Sequence, residues 1–145
     1  MKYLVRKYPK DVQVIFKQFP IPSHKKAFDA ARAALAATRQ DKFWEYHELL
    51  FQNMNALDTD NLMEYARRLG LDMVKFRVDF DSKSVRKQVE YEKNIADRLG
   101  ITGTPGFYIG GQQVTGWASY DYIDQLVRRA INGKNEPCLL DNIPC

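Results

Sequence analysis

The chain has 145 residues, a formal net charge of +4, and 45% hydrophobic and 12% aromatic residues, the composition of a single globular domain with one sizeable core. No apolar run approaches the roughly 18 residues that cross a bilayer, and Met1 to Pro9 lack the apolar stretch and small-residue site of an export signal, so the chain as written is expected to stay in the cytoplasm. The pairs Lys25-Lys26, Arg67-Arg68 and Arg128-Arg129 are interspersed with acidic residues and read as solvated helix faces, not as the dense basic stripe of a nucleic-acid binder.

Val12 to Phe19 is β-branched and aromatic and ends at Pro20-Ile21-Pro22, which predicts a strand buried on at least one face. Ser23 is a suitable N-cap for a helix in which Ala27, Ala30, Ala31, Ala34, Leu35 and Thr38 share a face. So many alanines imply close packing against a neighbour. A second helix is expected from about Asp41, with Phe43, Tyr46, His47, Leu50 and Phe51 on its face. Asp58-Thr59 caps a third, carrying Leu62, Tyr65, Ala66 and Leu69 and stopping at Gly70. Asp72 opens a short fourth with Met73, Phe76 and Phe80. Ser82 or Ser84 caps a fifth, presenting Val85, Val89, Ala96 and Leu99 before Gly100.

The period then changes. Phe107 to Ile109 and Gln113 to Thr115 read as short strands joined through Gly110-Gly111-Gln112, a hairpin. A last helix from about Ser119 carries Tyr122, Ile123, Leu126, Val127, Ala130 and Ile131, and Asn132-Gly133 ends it. There is no internal repeat and no low-complexity segment.

Gly103-Thr104-Pro105-Gly106 stands directly before the hairpin. Proline donates no ladder hydrogen bond and belongs at the first residue of a strand, and an X-Pro bond flanked by glycines is a candidate cis peptide. Two readings stand side by side: a loop that pairs with an extended partner, and a proline that only shapes the sheet. Tyr108 and Trp117 are core or rim residues, or the lining of a peptide groove beside that loop. His24 and His47 have no Cys, Asp or second His at ligand spacing and read as structural, so neither a metal nor a cofactor is expected. The two cysteines, Cys138 and Cys145, are separated by six residues and follow a helix end. A catalytic pair needs a low-pKa thiolate, usually at a helix start. A disulfide pinning the tail and two free thiols are equally compatible with their spacing.

The order strand, helical block, Gly-Thr-Pro, hairpin, terminal helix resembles the DsbA-like branch of the thioredoxin fold, the bacterial thiol–disulfide oxidoreductases and isomerases. The motifs that carry the resemblance are Val14 to Pro20, His24 with the run Ala30 to Ala37, Phe43-Trp44-Glu45-Tyr46-His47, and Leu99 to Pro105. It covers about residues 3 to 132. It implies an α/β, thioredoxin-like fold with an inserted helical subdomain: a single domain over 1–145, built from thioredoxin-fold parts 1–22 and 100–133, an insertion at 23–99 and a tail at 134–145. In that family the loop corresponding to Gly103, Thr104 and Pro105 faces a Cys-x-x-Cys pair and binds the backbone of a protein substrate, unfolded or thiol-containing.

No Cys-x-x-Cys occurs in these 145 residues. The resemblance places it, with the first central strand, ahead of the segment matching Tyr3 to Pro9, so the fold is expected to be missing its N-terminal strand. Neighbouring strands lie about 4.8 Å apart, and removing one from between two others leaves edges that invite pairing with another chain. The expectations are therefore a lineage of protein disulfide interchange, little activity from these residues alone, and a homodimer or higher self-association. Whether the chain is an enzyme is left open by the missing pair. The rival expectation is a non-catalytic peptide-binding or self-associating module. Neither a nucleic acid nor a membrane is an expected partner, and the family itself is mostly exported.

Overall fold

The computed structural model describes residues 2–115 and 118–133. Cys138, Cys145 and Trp117 lie outside the described residues. The chain divides into two compact units, one formed by residues up to 16 together with those from 101 onward, the other by residues 17–100.

The 17–100 unit is helical: α2 (Ala27–Thr38), α3 (Phe43–Gln52), α4 (Thr59–Arg68), α5 (Met73–Asp81) and α6 (Lys83–Arg98), counting from an N-terminal α1 (Lys2–Lys7) that belongs to the other unit. The caps expected for α4, α5 and α6 form. Asp58 accepts from the Asn61 N–H, Asp72 from Val74 and Lys75, and Ser82 from Val85, each satisfying donors that have no intrahelical partner. Gly70 and Gly100 close α4 and α6 with φ of +70° and +72°, the left-handed cap that glycine adopts without steric cost.

At the centre of this unit is α2, which packs against α3, α4, α5 and α6. Ala30, Ala31, Ala33, Ala34, Ala36 and Ala37 are all buried, so the helix is buried nearly all round, where a single face was expected. Tyr46, Leu62, Phe76 and Phe80 complete the core. Thr38 is exposed, and so is Phe51 at 60%; the buried side of α3 runs through Tyr46 with Leu49 and Leu50 packed behind it.

Two expectations fail at the start of this unit. Ser23 caps no helix. His24 donates to the Ile21 carbonyl and Ala27 to the His24 carbonyl; these successive turns use the donors an early helix would leave open, and α2 starts at Ala27. The predicted strand over Val12 to Phe19 does not form either. Among the described residues the sheet has two strands, β1 (Gly106–Ile109) and β2 (Gln112–Thr115), and a strand-prone segment without a ladder partner has no strand to be part of. Instead, the Gln18 N–H donates 2.7 Å to the buried carboxylate of Glu92, whose other oxygen accepts from Gln88, and the Lys93 ammonium lies over the Phe19 ring.

In the other unit β1 and β2 form an antiparallel hairpin with Phe107 opposite Val114 and Ile109 opposite Gln112. Its two-residue turn, Gly110-Gly111, has φ of +55° and +79°, the left-handed pair that matches strand twist. Helix α7 (Tyr120–Asn132) is capped by Ser119 and buries Ile123, Leu126 and Val127 with Leu4 of α1 and Val114 of β2. Tyr122 and Ile131, expected on the same face, are exposed. No helix among the described residues is long and apolar enough to cross a membrane.

Candidate functional site

The loop before β1 is set by the residues on both sides of it. Ile101 is buried, Gly103 is half-buried, and Thr104 and Pro105 are exposed. The Thr104–Pro105 peptide bond is cis. Gly106 then lies against Ile101 so closely that a Cβ added to it would sit 3.1 Å from Ile101 Cδ1 and 3.3 Å from Cγ2. Beyond Gly106 the chain enters the ladder with β2, and Phe107 and Ile109 pack onto the core of this unit. The sequence-predicted residues Gly103, Thr104 and Pro105 thus form one continuous surface at the start of a strand. Such a surface suits an extended chain, which uses backbone hydrogen bonds where a small molecule would need an enclosed cavity. Tyr108 is half-buried within β1.

The histidines hold no ligand cluster. His24 is exposed in the turns before α2, and His47 packs among the rings of Phe43, Trp44 and Phe51, with centroids 4.6 to 5.7 Å away. Among the described residues no group of three His, Cys, Asp or Glu side chains could hold a metal ion.

Three buried ionic groups escaped the sequence reading. Asp124 on α7 accepts from Lys7 Nζ at 2.7 and 2.8 Å, from the Tyr8 hydroxyl at 3.0 Å and from Arg128 Nε at 2.9 Å. The Lys7 hydrogen bond, aided by Tyr8 and the Arg128 charge, holds its carboxyl below the usual carboxylate range against the opposing effect of burial. The same bond holds the Lys7 ammonium above its ordinary value. The i, i+4 spacing of Asp124 and Arg128 was the one available signal. An open hollow lined by Lys7, Tyr8, Arg128, Ile131 and Asn132 lies beside this network and includes none of the loop residues. Glu92 sits seven residues after Val85 and three after Val89, on the apolar face of α6, a position that could have marked it as buried. Arg32 lies within the alanine run of α2 and donates through Nε and Nη2 to the Phe80 carbonyl at 3.0 and 2.6 Å.

Comparison with known proteins bears on this loop and its frame. The sequence model of the DSBA-like thioredoxin domain matches residues 1–128. A thioredoxin-like oxidoreductase from Silicibacter pomeroyi DSS-3 superposes with a TM-score of 0.71 at 27% identity, covering 89% of this chain and 73% of that one. Part of the chain is also similar to Na(+)/H(+) antiporter NhaA of Herminiimonas arsenicoxydans, 38% identical over 101 residues, which is 70% of this chain and 16% of that protein. For NhaA 1 of Salinispora arenicola the identity is 30% over 124 residues, 85% of this chain and 19% of that protein. The chain thus spans under a fifth of the length of these curated relatives. The family match covers most of the chain, including the loop and the helical block: this chain belongs to the DsbA-like thioredoxin domain family.

Proposed function

We propose that this domain serves thiol–disulfide interchange on protein substrates, with Gly103, Thr104 and Pro105 as the surface on which an extended substrate segment lies. The observation that carries this reading is the exposed Thr104-Pro105 pair at the entry to β1, held from behind by the Ile101–Gly106 contact. In such chemistry a thiolate attacks one sulfur of the substrate disulfide, the S–S bond breaks, and the second sulfur leaves as a thiolate, giving a mixed disulfide. These 145 residues contain no Cys-x-x-Cys to supply the attacking thiolate. Their part in the reaction is recognition, and by themselves they bind substrate without turning it over.

The absence of that motif also favours a second reading, a module that binds extended peptides with no redox role. Two measurements separate the possibilities. Fluorescence anisotropy with a labelled, thiol-blocked extended peptide should show binding, weakened about tenfold by Thr104→Pro, which removes one backbone donor from the loop. Insulin reduction by the same chain should stay at background. Binding indifferent to Thr104→Pro would remove the loop from the site, and robust insulin reduction would show a thiol chemistry that recognition alone does not provide.

A further inference from the structure

We propose that the hollow in front of α2 receives one aromatic side chain of a protein partner, from a segment in which acidic residues flank that ring. The proposal is independent of the thiol chemistry, and every residue it uses belongs to the 17–100 unit. The hollow, of about 230 Å³, is walled by the apolar residues Pro20, Ile21, Pro22 and Phe28, and His24, Lys25 and Lys93 complete its lining. That is below the roughly 300–1,000 Å³ of pockets that enclose a drug-sized ligand. A nucleotide or cofactor exceeds it, whereas a single anchoring side chain fits. The walls are set in advance. Glu92 holds the Gln18 N–H, the Lys93 ammonium lies over the Phe19 ring, and the His24 N–H donates to the Ile21 carbonyl at 3.0 Å. Pro20 and Pro22 have a fixed φ and no N–H, so an apolar group covering them strands no backbone donor at either residue. Prearranged walls lose little freedom on binding, and an aromatic ring brings the largest apolar area to a single anchor point.

Charge specifies what flanks the ring. The lining contains two ammonium groups and no carboxylate. Lys93 is paired with Asp97 at 2.6 Å, and the neighbouring Glu92 is buried and accepts from Gln18 and Gln88. Lys25 is exposed and has no carboxylate partner among the described residues. The Arg86 guanidinium, 5.3 Å from the Phe28 ring centroid, has none either. Two uncompensated cations thus stand at the rim and beside one wall of an apolar hollow. Carboxylates next to the anchoring ring meet them, and lysines in the same places are repelled.

Titration of the isotope-labelled chain, followed by amide chemical shifts, tests this. The probe is an acetylated, amidated peptide with one phenylalanine between two pairs of glutamates. Saturable shifts are expected at residues 18–28 and around Lys93 at peptide concentrations up to about a millimolar, and their position separates them from any at Gly103 to Pro105. A peptide with serine for the phenylalanine and one with lysines for the glutamates should each bind about fivefold more weakly. Lys25→Glu alters an exposed turn, so the spectrum away from the hollow should match the parent. It should weaken the glutamate peptide about fivefold and strengthen the lysine peptide. Absence of shifts around the hollow overturns the proposal. So does equal binding of the serine peptide, or a Lys25→Glu variant that leaves the preference between the two charged peptides unmoved.

Discussion

Replacing Arg32 by methionine tests how the helical unit tolerates a charge at its centre. Arg32 is 8% exposed, and two of its nitrogens donate to the carbonyl of Phe80, in the last turn of α5 where helical carbonyls have no intrahelical partner. Methionine keeps much of the side-chain stem but strands that carbonyl. A buried hydrogen bond to a charged donor is worth about 1.5–3 kcal/mol. The guanidinium also lies 4.2 Å from the Phe80 ring centroid, a contact worth roughly 0.5–1 kcal/mol more. Its ion pairs count for little, because the Asp29 and Asp81 side chains are 43% and 74% exposed; together they should contribute under about 1 kcal/mol. Against these losses stands the desolvation of the guanidinium, which methionine does not carry. The expected net destabilisation is about 2 kcal/mol, read in urea denaturation as a midpoint about 1 M lower. Asp81→Asn should cost less than about 0.5 kcal/mol. Arg32→Met at or above parent stability would refute the reasoning, because desolvation would then outweigh the stranded carbonyl.

Asp124→Asn addresses the network between α1 and α7. A carboxyl whose folded value is depressed contributes stability that is present above the unfolded value near pH 4 and is lost as pH falls through the folded value. Acid denaturation of the parent should therefore be steeper below about pH 4 than that of Asp124→Asn, and parallel curves would show the network to be idle. In the hairpin, a Cβ on Gly110 would lie 2.6 Å from Ala130 Cβ, whereas one on Gly111 would meet nothing within 4 Å. Gly111→Ala should cost about 1 kcal/mol from its positive φ alone, and Gly110→Ala clearly more; equal melting temperatures would contradict the packing of α7 on the turn. Tyr46 is fully buried and donates to the Leu62 carbonyl at 2.7 Å, so Tyr46→Phe should cost about 1–2 kcal/mol in chemical denaturation. Burial also pushes the phenol well up, so absorbance at alkaline pH should show this tyrosine ionising only as the protein unfolds.

Much of the helical unit could be read from its punctuation. The caps at Asp58, Asp72 and Ser82 and the stops at Gly70 and Gly100, like the cap at Ser119 in the other unit, are local chemistry, and local chemistry is what a single sequence records. The hairpin was legible for the same reason, since two glycines in the left-handed region specify their own turn. Val12 to Phe19 was not. Its composition favours a strand, but strand pairing depends on a partner remote in sequence. Arg32, Glu92 and Asp124 were hidden for a related reason: each is buried because of a group 48, 74 or 117 positions away, and no periodicity encodes that group. The candidate loop was legible as a motif, while the Ile101 side chain behind Gly106 became visible only in three dimensions.

The alanine helix has a consequence for how this domain can change. Where the hub is lined by the methyl groups of Ala33, Ala34, Ala36 and Ala37 there is no larger side chain to trim and no slack to fill. Enlarging Ala33 or Ala36, each fully buried, would press on elements that are themselves packed together. Variation is thus steered to the rim, to exposed positions such as Val74 and Val78 of α5. There a side chain can be exchanged while the spacing of the four surrounding helices stays fixed. The hub works as a gauge block: it sets distances, and the chemistry is free to drift around it.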